Sequence, residues 1–222
     1  MEIQPIATIH NDYTDKFAVP RQSGIACVQS IIRFETPYND ENAVRGIEEY
    51  SHLWLIWGFS KNNREEISLT VRPPRLGGNI RKGVFATRSP FRPNRLGLSS
   101  VKLEAVEYDA QRHPLLVVSG ADLINGTPIY DIKPYIRFTD SHEDAVSGIA
   151  DTVPFHRLTV ILPPELATKI PADKQENLRA ILAEDPRPAY QQNNTRQYGF
   201  TFADKEIRFR VEDDTLTVTD IL

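Results

Sequence analysis

Three polar segments stiffened by proline or opened by glycine carry the side chains best suited to chemistry. Val19-Pro20-Arg21-Gln22 sets one guanidinium and one amide on a short rigid loop. Residues 72–95 read RPPRLGGNIRKGVFATRSPFRPNR and hold seven bases (Arg72, Arg75, Arg81, Lys82, Arg88, Arg92, Arg95) with no acid. Ala121–Pro128 (ADLINGTP) ends a strand in a polar turn and runs on to Tyr130-Asp131-Ile132-Lys133-Pro134-Tyr135. Proline reduces the entropy a loop loses on ordering, so such loops hold a ligand in one pose, and the Gly77-Gly78 pivot lets backbone approach it closely. Each segment alone reads equally as turn chemistry between strands. Three of them in one β domain point to a shared site.

The charge pattern names the kind of ligand. The chain has 26 basic and 30 acidic residues, a net of −4, yet outside the 72–95 window 19 bases face 30 acids, a net of −11. An acidic body with one concentrated cationic segment suits an anionic partner met on one face. Other chemistries lack their residues. No G-x-G-x-x-G occurs, so the dinucleotide-binding turn and the strand–helix crossing of the common methyltransferase fold are absent. Gly78 and Gly83 have P-loop spacing, but Val84 stands where lysine is required. There is no G-x-S-x-G, and Ser99-x-x-Lys102 on an alternating strand reads as coincidence. Five scattered histidines and a single cysteine, Cys27, support no metal centre and no disulfide framework. Cys27 lies among apolar residues and reads as a small core side chain.

The elements that must position these loops are mostly strands. Ile3–Ile9, Ile25–Ile32, Ser51–Phe59, Ile67–Arg72, Gly83–Thr87, Leu98–Tyr108, Pro114–Ser119 and Ile129–Ile132 are separated by Gly and Pro. Ser51–Phe59 (SHLWLIWGF) is apolar on both alternations, as in a strand covered on both faces. A short helix is expected over Glu41–Glu49, capped by Asn39 or Asp40. Many short strands and little helix predict a mainly β fold, a barrel or packed sheets. Phe155–Leu162 reads as the last strand of this first unit, and the boundary is placed near residue 160. A smaller α+β unit follows, with a helix over Asp173–Glu184 and strands at Tyr198–Phe202, Glu206–Val211 and Thr215–Ile221. The chain shows neither an apolar run of membrane-spanning length nor a secretory leader, so a cytoplasmic protein is expected.

Read together, PRQ at 20–22, SHLWLIWGF at 51–59, TVRPPRLGGN at 70–79, GVFATRSPFRPN at 83–94, DLINGTPIYDIKPY at 122–135 and DPRPAY at 185–190 resemble the TsaA-like family, in its bacterial TrmO-type branch. The resemblance runs nearly the whole chain, including the C-terminal unit. One departure stands out: the family usually reads N-P-[IL]-G where this chain has Asn94-Arg95-Leu96-Gly97. Without that proline the loop is expected to be looser and to carry one more cation.

The resemblance implies a non-Rossmann, barrel-like domain that binds S-adenosylmethionine (SAM), without a metal, in a homodimer that acts on tRNA. The implied reaction methylates N6 of threonylcarbamoyl-adenosine 37 in threonine tRNAs. It draws the cofactor pocket from Pro20, Arg21 and Gln22, from Lys61 and Asn62, from Arg88 and Leu98, and from Asp122, Leu123, Ile124 and Asn125. Arg72, Arg75, Arg81, Lys82, Arg92 and Arg95 are then left to hold tRNA phosphates. Phe91 either stacks on a splayed base or folds into the core. An exocyclic amine is a poor nucleophile, so an acceptor for its proton would help, and Asp122 and Asp131 are the candidates. A non-catalytic RNA-binding module and a SAM-dependent enzyme with another substrate are the competing readings. The segment 185–190 either braces the first unit or extends the RNA surface.

Overall fold

The computed structural model describes residues 2–61, 67–73, 80–153, 156–187 and 196–222. In chain order the first unit runs through β1 (Ala7–His10), β2 (Gln29–Phe34), β3 (His52–Gly58), β4 (Thr70–Val71), β5 (Lys82–Gly83), β6 (Leu96–Tyr108), β7 (Pro114–Ser119) and β8 (Pro128–Pro134). Six of these close into a barrel in the order β1-β2-β7-β6-β3-β8, while β4 and β5 form a two-stranded ribbon of their own. Successive side chains of a strand point to opposite faces, so one alternation fills the barrel. Leu53 and Leu55 of β3, Ile32 of β2, Leu116 and Val118 of β7 and Ile129 of β8 are all fully buried in one cluster. Each contributes about 1.5–3 kcal/mol of burial.

The outward face of β3 is covered only in part. Trp54 and Ile56 are half-buried, with the Trp54 ring 5.6 Å from that of Tyr135 and its indole Nε1 donating to Asp140 Oδ2 at 2.9 Å. The helix expected over Glu41–Glu49 is instead two 3₁₀ turns, Glu41–Val44 and Ile47–Glu49. Asp40 does cap the first, accepting from the Asn42 backbone N–H at 2.8 Å. Gly46, at φ +83°, separates them, a conformation that ends a right-handed turn and that glycine adopts without strain.

The second unit joins β9 (Thr159–Ile161), β10 (Tyr198–Phe202), β11 (Lys205–Glu212) and β12 (Thr215–Ile221) in the order β10-β11-β12-β9. Here the reading of Phe155–Leu162 as the last strand of the first unit is corrected. The strand within it, β9, pairs parallel with β12 through Thr215↔Thr159 and Thr217↔Ile161. Leu158 and Leu162 bury into the same core as the helix Ala172–Ala183. That helix turns Leu178, Ile181 and Leu182 inward, as their spacing predicts.

This second core is not made by the second unit alone. Tyr13, Ala18, Ala26 and Val28, from the loop joining β1 to β2, are buried in it, with the Tyr13 ring 6.3 Å from Phe202. Lys174 Nζ adds an ion pair to Asp12 at 2.7 Å. The expectation for Cys27 fails for the same reason. Ala26 and Val28 point into this core, so the alternation turns Cys27 outward and leaves it exposed.

Candidate active site

The loop 11–28, the segment 84–98 and the turn after β7 meet at one rim of the barrel and enclose a cavity of about 1000 Å³. Such a volume stands at the upper end of ordinary small-molecule sites. Pro20, Arg21, Gln22, Lys61, Arg88, Leu98, Asp122 and Ile124 all line it, so the structure gathers most of the expected cofactor residues on one surface. Leu123 is not on that surface, because its side chain is fully buried in the barrel core. Asn125 is exposed on the turn, where its Oδ1 accepts from the Asn11 backbone N–H at 3.2 Å. Asn62 and Arg75 lie outside the described residues.

The polar wall is built from side chains that hold one another. Arg88 Nη1 donates to Gln22 Oε1 at 2.8 Å, and Gln22 Nε2 donates to the Arg21 carbonyl at 2.6 Å. Arg21 Nη2 in turn donates to the Asp185 carbonyl of the second unit at 3.0 Å. Asp122 lines the cavity next to the buried Ser99. Burial pushes its carboxyl above the usual carboxylate range, against the opposing pull of Ser99 Oγ, its own backbone N–H, the Arg88 charge and the Ser23 N–H. Ser99 Oγ lies 2.5 Å from Asp122 Oδ1 and itself accepts from Trp57 Nε1 at 2.9 Å. Beneath them Tyr13, fully buried, has its phenol pushed up by burial first and then by the Asp122 charge.

The second acidic candidate sits elsewhere. Asp131 is on β8, pairs in register with Ile56 and does not line the cavity. Its carboxylate holds Lys133 Nζ at 2.8 Å. The cationic segment divides in two. Phe91 and Arg92 line the same cavity as Arg88, with Arg92 Nη1 donating to the Thr87 carbonyl at 3.1 Å. Phe91 is therefore a rim residue, 38% exposed, and not part of the core. Arg72, Arg81 and Lys82 are exposed on and beside the β4–β5 ribbon, where Arg81 Nη1 reaches Thr70 Oγ1 at 3.3 Å.

Arg95 corrects the expectation of a looser loop. It adopts φ +49°, which a proline ring forbids, and its N–H closes the turn on the Arg92 carbonyl at 3.1 Å. Its own carbonyl accepts from the Phe59 N–H at 2.9 Å, so the turn is pinned on both sides.

The sequence reading gave no site role to Trp57 or Tyr13, and weighed Ser99 only in the Ser99-x-x-Lys102 spacing. Ser99 was legible in principle, as the one hydroxyl at an inward position next to Val101 on the strand. Its significance comes from register: β3 and β6 pair Leu55↔Ser99 and Trp57↔Gly97. At Gly97 a Cβ would fall 2.3 Å from the Trp57 ring, so only glycine lets the indole lie there. The Ser99-x-x-Lys102 spacing pairs nothing, since Ser99 is 1% exposed inside the barrel and Lys102 faces out to Glu104 at 2.9 Å.

Fold and cavity define the class first: a β-barrel protein whose rim loops, rather than a strand–helix crossing, build its cavity. The particular family follows from comparison with known proteins. Residues 8–141 match the family described as tRNA-methyltransferase O N-terminal domain, and residues 156–222 match the TrmO C-terminal domain. The chain belongs to the tRNA-methyltransferase O (TrmO) family. It is 38% identical to the Escherichia coli K12 tRNA (adenine(37)-N6)-methyltransferase, covering 96% of this chain and 94% of that one. It is 37% identical to a putative S-adenosylmethionine-dependent methyltransferase, RcsF, of Pseudomonas aeruginosa, covering 99% and 96%. A crystal structure of TrmO from P. aeruginosa superposes with a TM-score of 0.80 at 31% identity, covering all of this chain and 96% of that one.

Proposed function

We propose that this chain transfers a methyl group from SAM to N6 of adenosine 37 in tRNA, and that its substrate is the threonylcarbamoyl-modified base of threonine tRNAs. The observation that carries the reading is one cavity lined by an arginine, a buried carboxylate and an aromatic-cationic rim: Arg88, Asp122, Phe91 and Arg92.

The donor set fits SAM. The Asp122 carboxylate in the lining suits a sulfonium cation, and the Arg88 guanidinium suits an α-carboxylate. Pro20, Leu98 and Ile124 offer apolar surface for a nucleoside, beside Gln22 and the turn backbone for its polar edge. Bound there, SAM supplies a methyl already activated by its sulfonium. The chain must then align the acceptor, exclude water and take a proton. Asp122 takes that proton as the amine nitrogen gains its methyl, and its burial makes the carboxyl a stronger proton acceptor than an exposed aspartate. Asp131, outside the cavity and paired with Lys133, has no such access. Phe91 and Arg92 receive the nucleotide at the mouth, and Arg72, Arg81 and Lys82 on the ribbon extend the cationic surface for phosphates. The protein works as a homodimer, a reading that rests on the family resemblance and that light scattering tests.

The decisive experiment incubates the protein with methyl-labelled SAM and tRNA prepared with and without the threonylcarbamoyl group. Label in N6 of the modified base is expected. Heat of SAM binding without transfer to any tRNA would leave only a SAM-binding protein, and no saturable heat would leave an RNA-binding module. Asp122→Asn is expected to slow single-turnover methylation by about 10²-fold or more.

A further inference from the structure

Trp57, Ser99 and Asp122 form a directional chain. An indole N–H can only donate, so Ser99 Oγ accepts from Trp57 Nε1 at 2.9 Å. The serine's single proton is thereby committed to Asp122 Oδ1, 2.5 Å away. Each member is held: Trp57 lies on Gly97, which has no room for a Cβ, and Ser99 is 1% exposed on the barrel's inner face. Neither residue is drawn on by the transfer chemistry above.

We infer that Ser99, oriented by Trp57, is a positioning residue that occupies Oδ1 of Asp122 and so directs the proton taken from the adenine amine to the other carboxyl oxygen. The inference rests on the reading of Asp122 as proton acceptor. Oδ1 accepts from Ser99 whether the carboxyl is ionised or protonated, so the incoming proton has one oxygen left to enter. The same bond favours the anion, because a hydrogen bond to an ionised acceptor is stronger than one to a neutral acceptor. It thereby offsets part of the cost of burial. The other groups that act on this carboxyl or share its cavity are the backbone N–H groups of Ser23 and of Asp122 itself, with Arg88, Tyr13, Lys16, Arg21, Lys61 and Arg92, and Ser99 is the one side-chain hydroxyl among the described residues that donates to Oδ1.

The test is the pH profile of single-turnover methylation at saturating SAM. In Ser99→Ala the acid limb is expected to move up by about one pH unit, with the rate below that limb falling about tenfold. Ser99→Thr, which keeps the hydroxyl, is expected to return the limb to its wild-type position. Trp57→Phe removes the donor behind Ser99 and is expected to move the limb the same way by a smaller amount; it also decides the matter if Ser99→Ala fails to fold. Wild-type limbs in both Ser99→Ala and Trp57→Phe, with Asp122→Asn inactive, would overturn the role of Ser99 alone. Full activity in Asp122→Asn would overturn the acceptor reading beneath it.

Discussion

The barrel and the C-terminal unit bury their cores in opposite ways. The barrel closes on itself, with six strands each paired on both sides and a cluster drawn from its own strands and the short segments that connect them. The C-terminal unit has an open sheet and completes its core with Tyr13, Ala18, Ala26 and Val28 of the first unit's loop. Pro20, Arg21 and Gln22 lie between those anchors and form one wall of the cavity. The wall is thus fastened to the second unit, and Arg21 donating to the Asp185 carbonyl fastens it again. Of the two roles open to the segment beginning at Asp185, its described part acts as a brace. A unit whose described residues line none of the cavity can still hold a loop that does, by lending that loop a core.

Leu178→Ala empties a fully buried position of the C-terminal core and is expected to cost about 2–5 kcal/mol in denaturant unfolding. Because the core is shared, it is also expected to weaken SAM binding, measured by calorimetry on the folded variant. Leu55→Ala, at a fully buried site on the barrel side, carries a similar stability cost and a smaller effect on SAM affinity. Unchanged affinity in Leu178→Ala would mean the loop stands without its anchor.

Arg95→Pro probes the barrel's own contribution to the rim. It forces a φ that the turn does not have and removes the N–H bonded to Arg92. A loss of about 1–3 kcal/mol is expected in thermal unfolding.

Asp122 sharpens the comparison through pH. Its folded pKa is raised, chiefly by burial, so the ionised carboxyl is disfavoured in the native state. The stability this carboxyl gives is full below the unfolded value of about 3.9 and is lost as pH rises through the folded value. Asp122→Asn is therefore expected to be more stable than wild type at neutral pH without ligand, with the advantage vanishing in acid. Equal melting temperatures at all pH values would contradict a desolvated carboxyl. Smallest is Lys174→Ala, which removes a partly exposed bridge to Asp12 and is expected to cost under about 1 kcal/mol, less at high salt.

Much of the fold was legible before any coordinates. Pro114–Ser119, Tyr198–Phe202 and Thr215–Ile221 form strands at the predicted bounds, because a short β-branched or aromatic run bounded by turn residues, apolar throughout as in PLLVVS or alternating as in TLTVTDI, admits few other structures. The 41–49 segment and β9 were less legible, since short elements take their form from what they pack on. The site residues on loops were legible by type, whereas Ser99 was legible only as an inward hydroxyl on a strand and its pairing with Trp57 was not, because a buried serine beside an indole acquires meaning only from strand register.

By itself the sequence determined the family, through the motifs it shares with that family, and the alternating strands and the cationic, proline-stiffened loops, which composition and local spacing carry. Tertiary structure alone decided that Asp122 and not Asp131 faces the cavity, that Cys27 turns outward, and that the C-terminal unit grips the loop 11–28. Those outcomes depend on which surfaces meet across long stretches of chain, and no local pattern encodes such meetings.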